Sequence, residues 1–258
     1  MAVSIIREAI IIVHSNLLPG ERVEDLERKG RVIIQDPKRF CFGSDAILLS
    51  HFVKANPKDR MLDIGTGTGI IPIMCEALLD IENIKALEIQ EESADMARRS
   101  VALNNLEDRI EVVTGDVKEA IDIFGRESFD IITTNPPYMI GGHGMVNPKE
   151  PKAVARHEIS CTLEDIMYQS ERLLKTNGRF YMVHRPFRLP EIMSIMCKYH
   201  IEPKTMRLVY PLVDKEPTMV LIEGVKGGKP RLNMMPPLII NKDDGSFTEE
   251  VARMYGEI

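Results

Sequence analysis

The order of apolar runs and chain breakers predicts an α/β fold: a mostly parallel sheet of seven strands, helices on both faces, and an antiparallel hairpin at its end. Three observations carry this. Short runs rich in Ile, Val and Leu alternate with helix-patterned segments from about residue 60 onward. A glycine-rich turn, Asp63-Ile64-Gly65-Thr66-Gly67-Thr68-Gly69, joins the first of these strands to the first of these helices. The last two apolar runs, 206–210 and 218–223, have no helix between them and must therefore pair as a hairpin.

Residues 1–20 read as an apolar extension ending at the breaker Leu18-Pro19-Gly20. Residues 23–34 read as a hairpin that turns near Arg28-Lys29-Gly30. Ser44-Asp45 is expected to cap a helix through Ala46, Leu48, Leu49 and Phe52. Strand 61–64 and helix 69–79 follow. Next come strand 84–89 and a helix over 91–104, with Ala94, Ala97 and Val101 on one face. Short strands are expected at 110–114 and 129–133. Thr162, with Asp165 three residues on, opens a helix to 175 in the capping-box pattern. Asn177-Gly178 precedes strand 179–184, and 190–199 is a helix. The chain thus divides into an extension (1–20), a hairpin and helix (21–56), the α/β domain (57–228) and a tail packed on it (229–258).

Composition narrows the class. Apolar residues make up 44% of the 258 and charged residues 28%, a globular balance that leaves no room for disorder or a long coiled coil. No apolar run approaches the roughly 18–20 residues of a membrane span, and no leader pattern opens the chain. Cys41, Cys75, Cys161 and Cys197 are far apart with no CxxC pair, so neither a disulfide framework nor a metal site is expected, and a cytoplasmic location is. Net charge is −6, unevenly spread: residues 61–150 hold 7 basic and 17 acidic groups, residues 151–231 hold 14 and 9. The second stretch can meet a polyanion even though the whole chain is acidic, because the relevant field is local.

The glycine turn carries the first chemistry. Glycines at Gly65, Gly67 and Gly69 permit a sharp turn and a close approach of backbone to a ligand at a helix N-terminus. The spacing is GxGxG, unlike the GxGxxG of dinucleotide sites, and an acidic residue, Asp63, precedes it. Glu88 ends the second strand, where a carboxylate accepts from ribose hydroxyls. Asp116 follows the third strand, in reach of an adenine amine. Singly, each of these residues also suits a turn or a helix cap. As an ordered set they describe a pocket for an adenosine with a cationic tail, which is what S-adenosylmethionine is.

The second constellation is Asn135-Pro136-Pro137-Tyr138, at the end of the fourth strand. Two prolines remove two N–H donors and leave carbonyls without local competitors. The Asn135 side-chain oxygen and the Pro136 carbonyl can accept both protons of a flat amine while Tyr138 lies on its π-face. Such an amine is a weak nucleophile; drawing it toward tetrahedral geometry aims its lone pair at a sulfonium methyl. A long loop, 138–159, leaves this point with Gly141-Gly142-His143-Gly144.

These residues resemble the class I S-adenosylmethionine-dependent methyltransferases that act on amino nitrogens, over roughly residues 40–225. Arg39-Phe40-Cys41-Phe42-Gly43-Ser44-Asp45-Ala46, Ala155-Arg156-His157-Glu158, Val183-His184-Arg185-Pro186 and residues 223–228 resemble, more closely, the bacterial tRNA(Val) adenine-N6 methyltransferases. The resemblance implies a Rossmann-like sheet and a donor held by Asp63, Gly65, Thr66, Gly67, Gly69, Glu88 and Asp116. It further implies a lid segment 42–45 that brings Ser44 and Asp45 to the donor. Asn135, Pro136 and Tyr138 would hold the target amine, and Pro137, Arg156, His157 and Arg185 the substrate around it. The implied acceptor is the adenosine after the anticodon, in a single-stranded loop from which a base is easily extruded. Residues 1–20 depart from the family's pattern. Lys152, Arg188, Lys226, Lys229 and Arg231 are further candidates for phosphate contacts. Two other acceptors remain open: a glutamine amide of a translation factor, and another nucleic-acid base amine. A binding module without turnover is disfavoured by the intact Asn135-Pro136-Pro137-Tyr138.

Overall fold

The computed structural model describes residues 17–38, 42–137 and 161–258. Strands β1 (Arg22–Asp25) and β2 (Val32–Gln35) form a small antiparallel hairpin of their own. Helix α1 (Ser44–Phe52) follows. Its N-cap is Gly43 without a side-chain cap, so Ser44 and Asp45 fall inside the first turn rather than before it. The acidic Asp45 there still favours the positive end of the helix.

The α/β alternation is as expected. It runs β3 (Arg60–Ile64), α2 (Ile70–Leu79), β4 (Asn83–Glu88), α3 (Glu91–Leu103), β5 (Ile110–Thr114), α4 (Ala120–Phe124) and β6 (Phe129–Thr134). Helix α5 (Leu163–Leu173) opens with the capping box of Thr162 and Asp165. It leads into β7 (Leu174–His184), α6 (Leu189–Lys198), β8 (Ile201–Tyr210) and β9 (Met219–Lys226). Strands β3 to β7 are parallel, in the order β5-β4-β3-β6-β7, and the β8–β9 hairpin adds antiparallel with β9 against β7.

Among the described residues the sheet has nine strands, not seven. The extra two, β10 (Asn233–Met234) and β11 (Leu238–Ile239), come from the tail and pair parallel to β8 along its outer edge. Pro236 and Pro237 lie between them and donate no N–H, which splits one edge strand into two short pieces. The Pro236 carbonyl instead accepts from Arg207 Nε at 3.0 Å. A last helix, α7 (Glu249–Tyr255), packs against α1, where the His51 ring meets the Met254 carbonyl at 3.0 Å.

Alternation along the strands divides the core. Tyr181 and Val183 of β7 face a cluster with Leu48, Leu49, Ile73, Met74 and Val251, while Phe180 and Met182 face Ile166, Met167, Ile192 and Met196. Each fully buried large side chain stabilises the fold by about 1.5–3 kcal/mol. Because β3 to β7 run the same way, their C-terminal ends share one rim, and the residues that follow them converge there.

Candidate active site

The turn after β3 is fixed by its neighbour strand. The N–H groups of Gly65 and Thr66 both donate to the Leu87 carbonyl, at 2.9 and 3.0 Å, and Gly67 N–H donates to the Glu88 carboxylate at 2.8 Å. Gly67 has φ +57°, and a Cβ there would meet nothing within 4 Å, so the chain leaves an open cradle at this point. Gly69 (φ +90°) is the N-cap of α2; a Cβ there would stand 3.3 Å from that of Ala97, so the glycine lets α2 begin hard against α3.

The three carboxylates are in different states. Asp63 is fully buried and its Oδ1 accepts from Thr133 Oγ1 at 2.6 Å. Its Oδ2, like the Thr66 hydroxyl nearby, makes no hydrogen bond among the described residues. Burial pushes the Asp63 carboxyl up to about 7, against the lowering pull of the Thr133 and Thr66 hydroxyls and with a smaller push from Glu88. Glu88 accepts from Gly67 N–H through one oxygen and from Gln90 N–H, at 2.9 Å, through the other. Each oxygen keeps a further lone pair for a ligand. Asp116 caps the short 3-10 turn after β5 by accepting from Lys118 N–H at 2.9 Å.

The end of β6 is bound to the end of β3 twice: by Thr133 on Asp63, and by Thr134 Oγ1 on the Ile64 carbonyl at 3.0 Å. Asn135 therefore emerges beside Gly65. A cleft at the rim is lined by Asn135, Gly65, Thr66, Gly67, Thr68, Ile70 and Ile71 on one side and by Phe42 and Ala46 on the other. Gln35, at the end of β2 and fully buried, spans those sides: its amide nitrogen donates to Thr68 Oγ1 at 2.8 Å and its oxygen accepts from Phe42 N–H at 3.0 Å.

The structure thus brings Asp63, Gly65, Thr66, Gly67, Gly69, Glu88 and Asn135 into one neighbourhood. Pro136 is buried and Pro137 exposed directly beyond Asn135. Phe42 and Ala46 line the cleft, whereas Ser44 between them neighbours the Tyr255 phenol of α7 and Asp45 accepts from Ala46 N–H. Arg185 stands on the same rim, donating from Nη1 to the Thr218 carbonyl at 3.0 Å, beside the buried His184, whose ring burial holds down to about 4. Lys226 is at the opposite rim, donating to the Leu174 carbonyl, and Lys229 and Arg231 follow it there. Tyr138, Arg156, His157, Lys152 and the loop 138–159 lie outside the described residues, as do residues 1–16 and 39–41. Gln35, Thr133 and Thr134 offer only one signal in the sequence, a polar residue at the C-terminal end of a strand, and none of the three is among the residues singled out above.

Among the described residues no group of His, Cys, Asp and Glu could hold a metal ion, and no helix is long and apolar enough to cross a membrane. An adenosine with a cationic tail fits what is present. The glycine cradle is open, Glu88 has acceptor capacity to spare, and among the described residues the buried Asp63 Oδ2 makes no conventional hydrogen bond.

Residues 38–200 match the methyltransferase small domain, and the chain belongs to that family. It is an S-adenosylmethionine-dependent methyltransferase. It is similar to the tRNA1(Val) (adenine(37)-N6)-methyltransferases of Aeromonas salmonicida (30% identical, covering 70% of this chain and 74% of the relative) and Porphyromonas gingivalis (28%, covering 82% and 86%). In fold it resembles a predicted O-methyltransferase from Agrobacterium tumefaciens, at a TM-score of 0.67 and 24% identity over 82% of this chain and 95% of that one. It also resembles TYW2 of Pyrococcus horikoshii, at a TM-score of 0.57 and 13% identity over 82% and 73%.

Proposed function

We propose that this enzyme methylates the exocyclic N6 amine of an adenosine in tRNA, the adenosine following the anticodon of tRNA(Val). The observation that carries the reading is the shared cleft of Asn135 and the glycine turn, held together by the two threonine bonds between β6 and β3. Similarity to relatives named for that reaction supports this choice of acceptor.

Bound in the cleft, S-adenosylmethionine supplies an electrophilic methyl on sulfur. The chain's residues do the rest. Glu88, which keeps Gly67 in place, would accept from the ribose hydroxyls, Asp116 would take the adenine amine, and Asp63 would give the cationic tail a negative counterpart. The Asn135 side-chain oxygen and the Pro136 carbonyl accept both protons of the acceptor amine and align its lone pair with the methyl. Tyr138 and Pro137 would be the platform for the extruded base. Asn135 and Pro136 would hold the two amine protons until one passes to solvent, as the nitrogen takes up the methyl and the S–C bonding pair leaves with the donor's sulfur. The chain would need no strong base, because the amine proton becomes acidic once the nitrogen carries the methyl. Arg185, Arg156 and His157 would meet the flanking nucleotides.

Incubation with labelled donor and separate unmodified tRNA(Val), tRNA(Val) with guanosine at the target position, ribosomal RNA, DNA and release factor tests this. Label is expected in the first alone. Label in the release factor would replace the adenine with a glutamine amide, and label in rRNA or DNA would move the acceptor to another base amine.

A further inference from the structure

We propose that Gln35 is a positioning residue for the methyl donor, its single amide setting the spacing between the two walls of the donor cleft. The inference rests on the donor occupying the cleft between Phe42 and the glycine turn.

Gln35 closes β2 with no exposed surface, an unusual place for a primary amide unless both ends are satisfied. They are, and by opposite walls. The nitrogen holds the Thr68 hydroxyl of the glycine turn; the oxygen holds the Phe42 N–H, one turn before Ala46 of α1. Phe42 and Thr68 both line the cleft. The strand that carries Gln35 is itself anchored, since Ile34 N–H donates to Ser100 Oγ at 3.0 Å. Val32 exchanges two bonds with the Asn104 amide, at 2.9 and 2.7 Å. Ser100 belongs to α3 and Asn104 is its C-cap, and this is the helix against which the glycine turn is packed.

A rigid line therefore runs from α3 through β2 to Gln35 and out to both walls. A ligand entering the cleft finds Phe42 already at its working distance from Thr68 and does not spend binding free energy to place it. A side chain that merely filled the core would do so equally well with an apolar group of the same length. Gln35 differs from such a group only in the two bonds.

That difference defines the test. In Gln35→Met, which keeps length and volume, calorimetry is expected to show the Kd for S-adenosylmethionine raised about tenfold, the loss expected for one or two hydrogen bonds. Hydrogen exchange at the Phe42 amide should speed up in the free protein, and the kinetic loss should appear in donor KM more than in kcat. Thr68→Val should raise the donor Kd likewise, and the double variant should be no weaker than the worse single one, because both remove the same link. A folded Gln35→Met protein with wild-type donor affinity overturns the proposal. So does wild-type affinity in Thr68→Val, which tests the link even if Gln35→Met does not fold, and so does simple additivity of the two. Wild-type protein that fails to bind donor would overturn the donor site itself, a result seen before any variant is made.

Discussion

Glu88 holds Gly67: the carboxylate that ends β4 accepts the N–H of the middle glycine at 2.8 Å, so the group proposed to take the donor's ribose also shapes the glycine turn. Its second oxygen accepts Gln90 N–H and fixes the start of α3. Glu88→Ala removes both functions at once. Donor Kd is expected to rise by about 10- to 100-fold, the range for bonds to a charged group. Exchange at the Gly67 amide should rise with it. Wild-type affinity in a calorimetric titration would show that the carboxylate serves the turn alone.

If Asp63 faces the donor's cationic tail, donor binding is expected to depend on pH. Burial raises the Asp63 carboxyl to about 7, so in the free enzyme it is mostly protonated below about pH 7 and mostly ionised above it. A cationic tail nearby favours the charged form, so binding should release a proton and tighten as pH rises from about 6 to 8. The stability effect has the opposite sign. A folded-state value above the unfolded one stabilises the fold below the unfolded value of 3.8, and this is lost as pH rises through about 7. Asp63→Asn, which cannot ionise, should melt higher than wild type at pH 8 while binding donor more weakly and with a flat pH profile. Thermal melts and titrations at pH 6, 7 and 8 read both; a variant less stable than wild type at pH 8 would contradict the buried charge.

The proposed mechanism assigns Asn135 to the acceptor and not to the donor. It lines the cleft at the end furthest along β6, beyond the Thr133 and Thr134 bonds that fix its position. Asn135→Ala is expected to lower kcat by about 10²- to 10³-fold, as loss of one preorganised transition-state contact does. Donor Kd should stay within about twofold of wild type. An active variant would remove the residue from the chemistry.

Arg185 tests the RNA surface. It sits on the active rim, where its bond to the Thr218 carbonyl joins the turn after β7 to the β8–β9 loop. If it meets a phosphate, Arg185→Ala should raise the Kd for tRNA and reduce the slope of log K against log salt by about one. Equal slopes for variant and wild type would assign the arginine to the loops alone.

The parts of the site that were legible in the sequence are those written in contiguous residues. Gly65, Gly67 and Gly69 lie in one turn whose backbone demands them, and Asp63, Glu88 and Asn135 stand at strand ends that alternation locates. Gln35 was not legible, because its partners are 33 and 7 residues away and a polar residue at a strand end looks solvated. Thr133 likewise reads as an ordinary β-former until β3 is beside it. Ser44 and Asp45 read as a cap, yet the chain enters α1 one residue earlier, through Gly43. The two added strands were hidden by Pro236 and Pro237, which signal a loop in any local reading and here only interrupt an edge.

The tail that supplies those strands is fastened through Arg207, and its contribution can be measured. The guanidinium of this β8 residue is almost wholly buried, gripping the Glu250 carboxylate of α7 with bonds of 2.6 and 2.8 Å and the Pro236 carbonyl with a third. A surface ion pair would contribute about 0–1 kcal/mol; three bonds from a buried guanidinium contribute more, because removing it also strands the Pro236 carbonyl. Arg207→Met is therefore expected to lower Tm by about 2–6 °C. Glu250→Gln should cost less, since a neutral amide still accepts one bond. The Arg207 hydrogen bonds hold the Glu250 carboxyl below its ordinary range. A depressed acid stabilises above its unfolded value and loses that as pH falls through the folded one. The gap in Tm between wild type and Arg207→Met should thus be full at pH 7 and narrow steadily below about pH 4.5. A gap that does not change with pH would mean that packing of the arginine stem, and not its charge, fastens the tail.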